Sequence, residues 1–316
     1  MTPELFQQIT THGAAVNLSS RAKFRLTGAD RVRYLNGQVT NDVRRVKPDE
    51  TLYACVTDVK GRIAADVQVH ALDDSLLLDA EPDLREPLGM RLERYIVADD
   101  VELTDVTEEW QLWHFWSDAG IASLRSPSGQ PAAGDLRFAP VLARNDSSHF
   151  KQEPPHHLLR AARFGSAGFD LWLPASANAP TFNPDSAILS DADLETWRIL
   201  QQIPRWPHEL NAETFPPEAG LESKAMDFSK GCYIGQEVLS RIKTTGKMPR
   251  EMIAFESDVA VIPGEELWHE KLVGKVTSVT QHPATGRTIG LAMIRQGTAQ
   301  DGLHIGSSTG PLLRCV

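Results

Sequence analysis

The chain has 316 residues, of which 41% are hydrophobic and 23% are charged, as in an ordinary globular protein with a substantial core. No apolar run approaches the roughly 18 residues of a membrane-spanning helix. Residues 1–16 resemble neither a secretion signal nor an import signal. Three widely spaced cysteines argue against a disulfide framework and for a reducing compartment. The sequence therefore predicts a cytoplasmic protein without membrane contact.

The charge is uneven along the chain. A net charge of −10 disfavours a dedicated nucleic-acid binder, and direct DNA binding is not expected. Two basic islands nevertheless stand out: eight Lys/Arg against two Asp over 21–47, and six against two acids over 224–250. If the islands meet in the fold, they form a cleft for an anionic ligand, such as a cofactor tail or RNA. The alternative is two solvated surfaces.

The first 116 residues predict alternating strands and helices. Residues 22–27 predict a strand, and Asp30 is placed to cap the helix that follows. Residues 51–72 alternate on both sides of a Lys-Gly turn, which is typical of a β-hairpin. The other predicted elements are strands at 75–80, 101–106 and 110–116 and a helix at 83–96.

The second half predicts fewer helices. A loop or lightly packed insertion is expected at 117–135, followed by a strand near 138–143, a polar turn at 145–156 and a strand at 164–174. Residues 191–203 predict a helix capped by Asp191 or Asp193. Beyond about 250, short strands and Gly/Pro turns indicate a β-barrel or sandwich. The fold class is therefore α+β with an all-β tail.

The segment SKGCYIGQE, residues 229–237, could carry chemistry. Cys232 lies close to Lys230, and a nearby cation together with a helix N-terminus lowers the pKa of a thiol. If the helix starts near Ile234, Cys232 lies at its N-terminal end and Glu237 could cap it. The alternative is a tight turn in which Cys232 only fills space. Cys55, within an apolar strand, is predicted to be a small buried hydrophobe, and no metal-binding motif occurs.

The same segment resembles a known family. KGCYIGQE, followed by SRIKTTGK and preceded by WRILQQIPRWPHEL and FPPEAGLE, is similar to the YgfZ-type folate-binding proteins. These are relatives of the mitochondrial iron–sulfur assembly factor of the same type and, more distantly, of the aminomethyltransferase (T-protein) of the glycine cleavage system. LTGADRVRYLNGQVTNDV, DVKGRIAADVQV and VGKVTSV…TIGLAMIR extend the resemblance over nearly the whole chain.

The resemblance implies a fold and a function. The fold is a tripartite, aminomethyltransferase-like folate-binding body over 1–245, built from two intertwined α+β subdomains, with a C-terminal β-barrel over 246–316. The cofactor is tetrahydrofolate or a derivative. The function is that of an accessory protein for the assembly or repair of iron–sulfur enzymes, including tRNA-modifying ones. Partners are then iron–sulfur proteins or their assembly machinery.

The resemblance also implies site residues. The family's signature lysine and cysteine fall on Lys230 and Cys232, which are expected to act beside the folate. The rest of the motif, expected to contact the folate, is Gly235, Gln236 and Glu237. Cations near the cavity mouth would suit the glutamate carboxylates of a folate. The candidates are Arg241, Lys243 and Lys247, with Arg25, Arg31 and Arg33 as further ones.

Two acidic positions complete the implied site. In the T-protein relatives a GGIxDD turn contributes an aspartate to the folate reaction centre. Here the segment is GRIAAD, so Ala65 replaces the first aspartate and Asp66 keeps the second. Without that first carboxylate the general-base role is expected to be empty. FGSAGFDL places Asp170 where the relatives have a pterin-holding glutamate. The alternative for Asp170 is a solvent-facing strand residue.

Two other functions stay open. A true aminomethyltransferase acting on a lipoylated carrier is disfavoured by Ala65. An RNA-binding module is supported only by the basic islands, which lack interleaved aromatic residues, so tRNA contact is a weaker expectation. In the preferred hypothesis the Cys232 thiolate is redox-active, cluster-contacting or one-carbon-accepting. A single cysteine cannot hold an iron–sulfur cluster alone, because the usual ligation needs several protein thiolates.

Overall fold

Three β-sheets organise the computed structural model, which describes residues 1–48, 50–116, 156–180, 182 and 186–316. The predicted loop at 117–135, the strand near 138–143 and most of the turn at 145–156 lie outside these residues. The described strands are β1 Ala14–Asn17, β2 Ala22–Thr27, β3 Thr51–Thr57, β4 Ile63–Ala71, β5 Leu76–Ala80, β6 Glu102–Asp105, β7 Trp110–Trp116, β8 His157–Ala161, β9 Gly168–Pro174, β10 Ala187–Leu189, β11 Arg250–Ser257, β12 Glu266–His269, β13 Lys271–Gln281, β14 Thr288–Arg295, β15 His304–Ile305 and β16 Arg314–Cys315. The described α-helices are α1 Pro3–His12, α2 Arg31–Gln38, α3 Arg85–Glu93, α4 Asp191–Leu200, α5 Glu222–Ala225 and α6 Gln236–Thr245.

The first sheet has the strand order β3-β4-β5-β2-β6 and is antiparallel throughout. Its strands alternate as the sequence predicts, so every second side chain points to the same face. One face packs its apolar residues against α2 and α3, with Leu35 and Leu88 in that core. The other face carries polar residues of β4 and β5, among them Asp66, His70 and Asp79. This second face leads to the site.

The second sheet has the strand order β10-β1-β7-β9-β8, in which only β1 and β10 are parallel. It packs against the polar face of the first sheet. Leu77 of β5 joins Leu112 and Trp172 in one buried cluster. The His70 ring meets the Trp172 ring edge-on, with centroids 5.2 Å apart. Polar residues of both sheets are thereby buried between them.

The third sheet has the order β15-β12-β13-β14-β11-β16 and is antiparallel, curled into a half-barrel. It packs on α4, where Arg198 donates to Ser278 Oγ at 2.6 Å. The α+β body and the C-terminal barrel-type sheet predicted from the sequence are therefore confirmed. The boundary between 245 and 246 stays a prediction.

Helix ends differ from the sequence predictions. Ser190, not Asp191 or Asp193, caps α4, because its Oγ accepts the Asp193 backbone N–H. Asp30 stands at the cap position of α2, but its carboxylate accepts from the Asp100 backbone N–H and the Arg33 side chain and does not cap a backbone N–H of the helix. A 3₁₀ turn at Pro82–Leu84 precedes the shorter α3. Within the described ranges, no helix combines the length and apolarity needed to cross a bilayer.

Candidate functional site

A cavity of about 650 Å³ opens beside the interface of the first two sheets, bounded also by α4 and α5. Its volume lies within the range of small-molecule sites, roughly 300–1,000 Å³. Charged side chains from several elements line it: Arg21, Asp66, Glu81, Arg163, Asp191, Arg198, Arg205 and Lys224. Cations of both basic islands, Arg21 and Lys224, therefore meet at one cavity, as one of the two sequence hypotheses proposed.

Asp66 is a cavity-lining carboxylate with a buried, unpartnered oxygen. Its Oδ2 accepts from Tyr53 Oη at 3.1 Å, while Oδ1 has no hydrogen-bond partner among the described residues. Burial raises the pKa of Asp66 to about 6, and the charge of Arg21 partly offsets that rise. A carboxyl group with this pKa can both accept and release a proton near neutral pH.

Ala65 faces away from the cavity. Because side chains alternate along β4, Ala65 packs in the core against α2 and α3, while Asp66 lines the cavity. The loss of a carboxylate at position 65 therefore leaves the cavity side unchanged. Asp66, the carboxylate that this segment keeps, lines the cavity. The expectation that the general-base role is empty without the first aspartate stays a prediction.

Asp170 is fully buried in an ion-pair cluster. Arg163 donates to Asp170 from Nε at 2.8 Å and from Nη2 at 2.6 Å, and also to Asp79 from Nη1 at 2.9 Å. His114 Nδ1 lies 2.8 Å from Asp170 Oδ1. The hypothesis of a solvent-facing strand residue is therefore wrong. Arg163, not Asp170, lines the cavity.

The charges of this cluster keep both aspartates ionised. Burial by itself would raise the pKa of Asp170, but Arg163 and His114 outweigh it and lower the pKa to about 2. Burial is outweighed at Asp79 as well, where Arg163 and Arg21 hold the pKa well below its ordinary value. Every Asp170 oxygen is thus engaged within the protein. The assignment of Asp170 to a pterin stays a prediction, and it requires Arg163 to move.

Sequence reasoning missed most of this cluster. The ligand-type atoms of His70, Asp79 and Asp170 all lie within 4.8 Å of one another, a spacing that could hold a metal ion. Arg163 occupies the same carboxylate oxygens, and a guanidinium repels a cation. His70 is 100 residues from Asp170 in the chain, so no local motif signals the cluster. The only hint was a polar residue alternating with apolar ones in each buried strand.

The motif lysine is a buried link between elements. Lys230 Nζ donates to the carbonyl oxygens of Asn36 and, at 2.9 Å, of Val39 at the end of α2. It also lies 4.8 Å from the centroid of the Tyr233 ring. Burial lowers the pKa of Lys230 to about 8. The side chain therefore holds the loop 229–235 against α2.

Cys232 is exposed in that loop. Helix α6 begins at Gln236, so Cys232 lies four residues before the helix. The sequence had suggested that Cys232 lies at the N-terminal end of the helix, which would require a start near Ile234. Gly235 adopts φ +88°, and a Cβ there would lie 2.5 Å from the Asp58 carbonyl oxygen. Only glycine fits this close approach to the β3–β4 turn. Cys55 is fully buried, which confirms its prediction.

The structure separates the motif from the cavity lining. Of the residues predicted to contact folate, Asp66 lines the cavity, whereas those of the motif and α6 do not. That second group is Lys230, Cys232, Gly235, Gln236, Glu237, Arg241, Lys243 and Lys247. Lys243 pairs with Glu222 instead. The further candidates Arg25, Arg31 and Arg33 also lie outside the described lining. Their roles toward a folate stay predictions.

The two signature residues are expected to differ in their effect on stability. Lys230→Ala leaves the buried Val39 carbonyl oxygen and the partly buried Asn36 carbonyl oxygen without this donor, so the free energy of unfolding should fall by about 1–3 kcal/mol. Cys232→Ala removes an exposed thiol and should change it by less than about 0.5 kcal/mol. Urea denaturation of both variants checks this. Equal losses for the two would contradict the anchoring role of Lys230.

Two family models match the chain in succession. The GCVT N-terminal domain matches residues 4–116, and the glycine cleavage T-protein C-terminal barrel domain matches residues 250–309. Together the two segments cover more than half of the chain. The first includes β4 and its Asp66, and the second includes the strands of the C-terminal half-barrel.

Individual relatives agree with these matches. The aminomethyltransferase of Rubrobacter xylanophilus is 26% identical over 307 residues, covering 91% of this chain and 77% of that protein. The tRNA-modifying protein YgfZ of Hamiltonella defensa is 28% identical over 283 residues, covering 83% of this chain and 79% of that protein. The solved aminomethyltransferase T of the Bartonella henselae glycine cleavage system has the same fold, with a TM-score of 0.77 at 14% identity, covering 99% of this chain and 87% of that chain. The chain therefore carries, in order, a GCVT-like N-terminal domain and a glycine cleavage T-protein-like C-terminal barrel domain, and it is similar over most of its length to both kinds of relative.

Proposed function

We propose that this protein binds a reduced folate in the cavity and supports iron–sulfur enzymes, including those that modify tRNA, as an accessory factor. Asp66 lines the cavity, and its buried Oδ1 has no hydrogen-bond partner among the described residues; this combination is the observation that carries the folate part. A reduced pterin presents N–H donors along one edge, and an ionised carboxylate accepts such donors strongly. This fit supports tetrahydrofolate, or a derivative, as the cofactor.

The pterin-facing carboxylate in this proposal is Asp66. Asp170 would have to release Arg163 before it could accept from a ligand, and that would leave Asp79 with one partner fewer. Breaking such buried ion pairs is costly, because each separated charge stays out of water. Asp66 accepts a ligand without breaking any ion pair. The proposal therefore uses the carboxylate that is already available.

The exposure of the Cys232 thiol suggests that this residue contacts a partner protein. Cys232 lies outside the described cavity lining, so accepting a one-carbon unit from a folate held there would require a rearrangement of the loop. Contact with a partner protein, or redox exchange with one, needs only the exposure that Cys232 already has. The similarity to a relative named tRNA-modifying protein YgfZ supports partners among iron–sulfur proteins or their assembly machinery.

Replacement of Cys232 separates the two parts of the proposal. Cys232→Ala should abolish the support of a tRNA-modifying iron–sulfur enzyme while the Kd for tetrahydrofolate stays within about twofold, because the thiol lies outside the described cavity lining. The readout is the modified-nucleoside content of tRNA in cells that lack the protein and carry each variant. Cys315→Ala is the matched control. Full support by Cys232→Ala would refute the role of this thiol.

A second candidate is an aminomethyltransferase acting on a lipoylated carrier. One observation favours it: Asp66 places a carboxyl group with a pKa of about 6 in the cavity lining, although Ala65 replaces the first aspartate of the segment. Formation of methylenetetrahydrofolate from an aminomethylated carrier, lost in Asp66→Asn, would establish this activity. Its absence with a carrier that is active with a known T-protein would favour the accessory function.

A further inference from the structure

The cationic side chains that line the cavity fall into two groups. Four of them are arginines, and each already pairs with carboxylates. Arg163 pairs with Asp79 and Asp170, while Arg21 pairs with Asp79 and Glu81. Arg205 likewise pairs with Glu81 and Glu195, and Arg198 with Glu195 and Glu209. A ligand anion would have to compete with these ion pairs for any of the arginines.

Lys224 is the exception within the described lining. It lies on the short helix α5, its side chain is exposed, and it makes no ion pair or side-chain hydrogen bond with a described residue. An ammonium group without an ion-pair partner can bind an anion at the rim of a cavity with little free-energy cost, because it gives up no ion pair and little of its hydration. Lys224 can therefore bind a ligand anion without giving up an ion pair, whereas each cavity arginine cannot.

Asp66 and Lys224 define a direction across the cavity. Asp66 is 9% exposed, so its free oxygen lies inside, whereas Lys224 is on the solvent side. A ligand with N–H donors at one end and a carboxylate at the other matches this polarity. The α6 cations predicted from the sequence for the carboxylate, Arg241 and Lys243, do not line the cavity.

We propose that Lys224 binds the carboxylate at the outer end of the ligand whose heterocycle faces Asp66. This inference rests on the proposed folate binding and adds the residue that recognises the acidic tail. Because Lys224 is exposed, the contact is salt-sensitive, and it contributes specificity for acidic ligands more than it contributes total affinity. Longer glutamate tails then extend from the cavity into solvent.

Calorimetric titration of the full chain with two ligands tests this inference. Tetrahydrofolate carries the acidic tail, and 6-methyltetrahydropterin carries the heterocycle without it. Lys224→Met should raise the Kd for tetrahydrofolate about three- to fivefold at low salt and leave that for 6-methyltetrahydropterin unchanged. Lys224→Glu should raise the former about tenfold. Lys271→Met, at an exposed lysine of β13 outside the described lining, is the matched control and should change neither value.

The possible results of these titrations separate the Lys224 contact from the proposed folate binding on which it rests. If wild type binds tetrahydrofolate and Lys224→Met binds it equally well, the tail contact is wrong and the proposed function stands. Equal weakening of both ligands by Lys224→Met also overturns it, because the lysine would then act on the cavity as a whole. If wild type binds neither ligand, the proposed function and this inference both fail.

Discussion

Asp66→Asn is expected to make the protein more stable at pH 8 and to weaken its binding of tetrahydrofolate by about tenfold to a hundredfold. Binding is weaker because the substitution removes a charged hydrogen-bond acceptor, and hydrogen bonds to charged groups contribute about 1.5–3 kcal/mol. Stability at pH 8 increases because the substitution removes a buried charge. Burial raises the pKa of Asp66 in the folded state to about 6, above its unfolded value of 3.8. One substitution should thus move stability and binding in opposite directions.

The pH dependence of this effect has a definite sign. A carboxyl group whose pKa is raised by folding binds its proton more tightly in the folded state, so wild-type stability rises as the pH falls from about 6 towards 4. Above pH 6 the ionised group costs about 1–3 kcal/mol, which asparagine removes. Urea denaturation between pH 4 and 8 should therefore show the two proteins converging at acidic pH.

A carboxylate of the cysteine motif is the matched control for binding. Glu237→Gln lies outside the described cavity lining and should leave the Kd for tetrahydrofolate unchanged. Calorimetric titration compares the two variants directly. If Glu237→Gln loses affinity and Asp66→Asn retains it, the folate lies at the motif and the cavity assignment is wrong.

Arg163→Ala is expected to be the most destabilising of the substitutions considered, with a loss of about 3–5 kcal/mol in the free energy of unfolding. The guanidinium bridges the fully buried carboxylates of Asp79 and Asp170, and its removal leaves both short of compensating charge. Arg85→Ala, whose partners are exposed, should cost less than about 1 kcal/mol and is the matched control. Urea denaturation measures both.

Acidification should separate Arg163→Ala from wild type. In wild type the pKa of Asp170 is depressed to about 2, so its stabilising contribution is present above 3.8 and is lost only as the pH falls towards 2. Without Arg163, burial raises the pKa of both aspartates. The variant should then gain stability as the pH falls from 8 to 5, while these groups leave wild type unchanged. A loss below 1 kcal/mol, without pH dependence, would contradict the bridging role.

Local patterns predicted the secondary structure where tertiary contacts did not override them. The alternation around the Lys-Gly turn predicted the β3–β4 hairpin, because side chains of a half-buried strand point alternately to core and surface. Cap positions were less predictable. Asp30 is a good capping residue, yet its carboxylate bonds the Asp100 backbone, a contact between distant parts of the chain.

The arrangement of the candidate site could be predicted only in part from the sequence. Alternation alone places Ala65 and Asp66 on opposite faces, but only the packing of the second sheet shows which face borders the cavity. The pairing of Arg163 with Asp79 joins residues 84 positions apart. The basic islands left an anionic ligand or two solvated surfaces open. Only the structure shows that the four arginines of the described lining are already paired and that Lys224 has no ion pair with a described residue.

Calorimetric titration of the wild-type protein with tetrahydrofolate tests the central claim most directly. We predict one site per chain, with an affinity that weakens as the pH falls from 7.5 to 5, because protonation removes the Asp66 acceptor. The same titration with Asp66→Asn should show weak binding without this pH dependence. Absence of binding by wild type, or binding with the same affinity and pH profile in both proteins, would contradict the assignment of the cavity as a folate site.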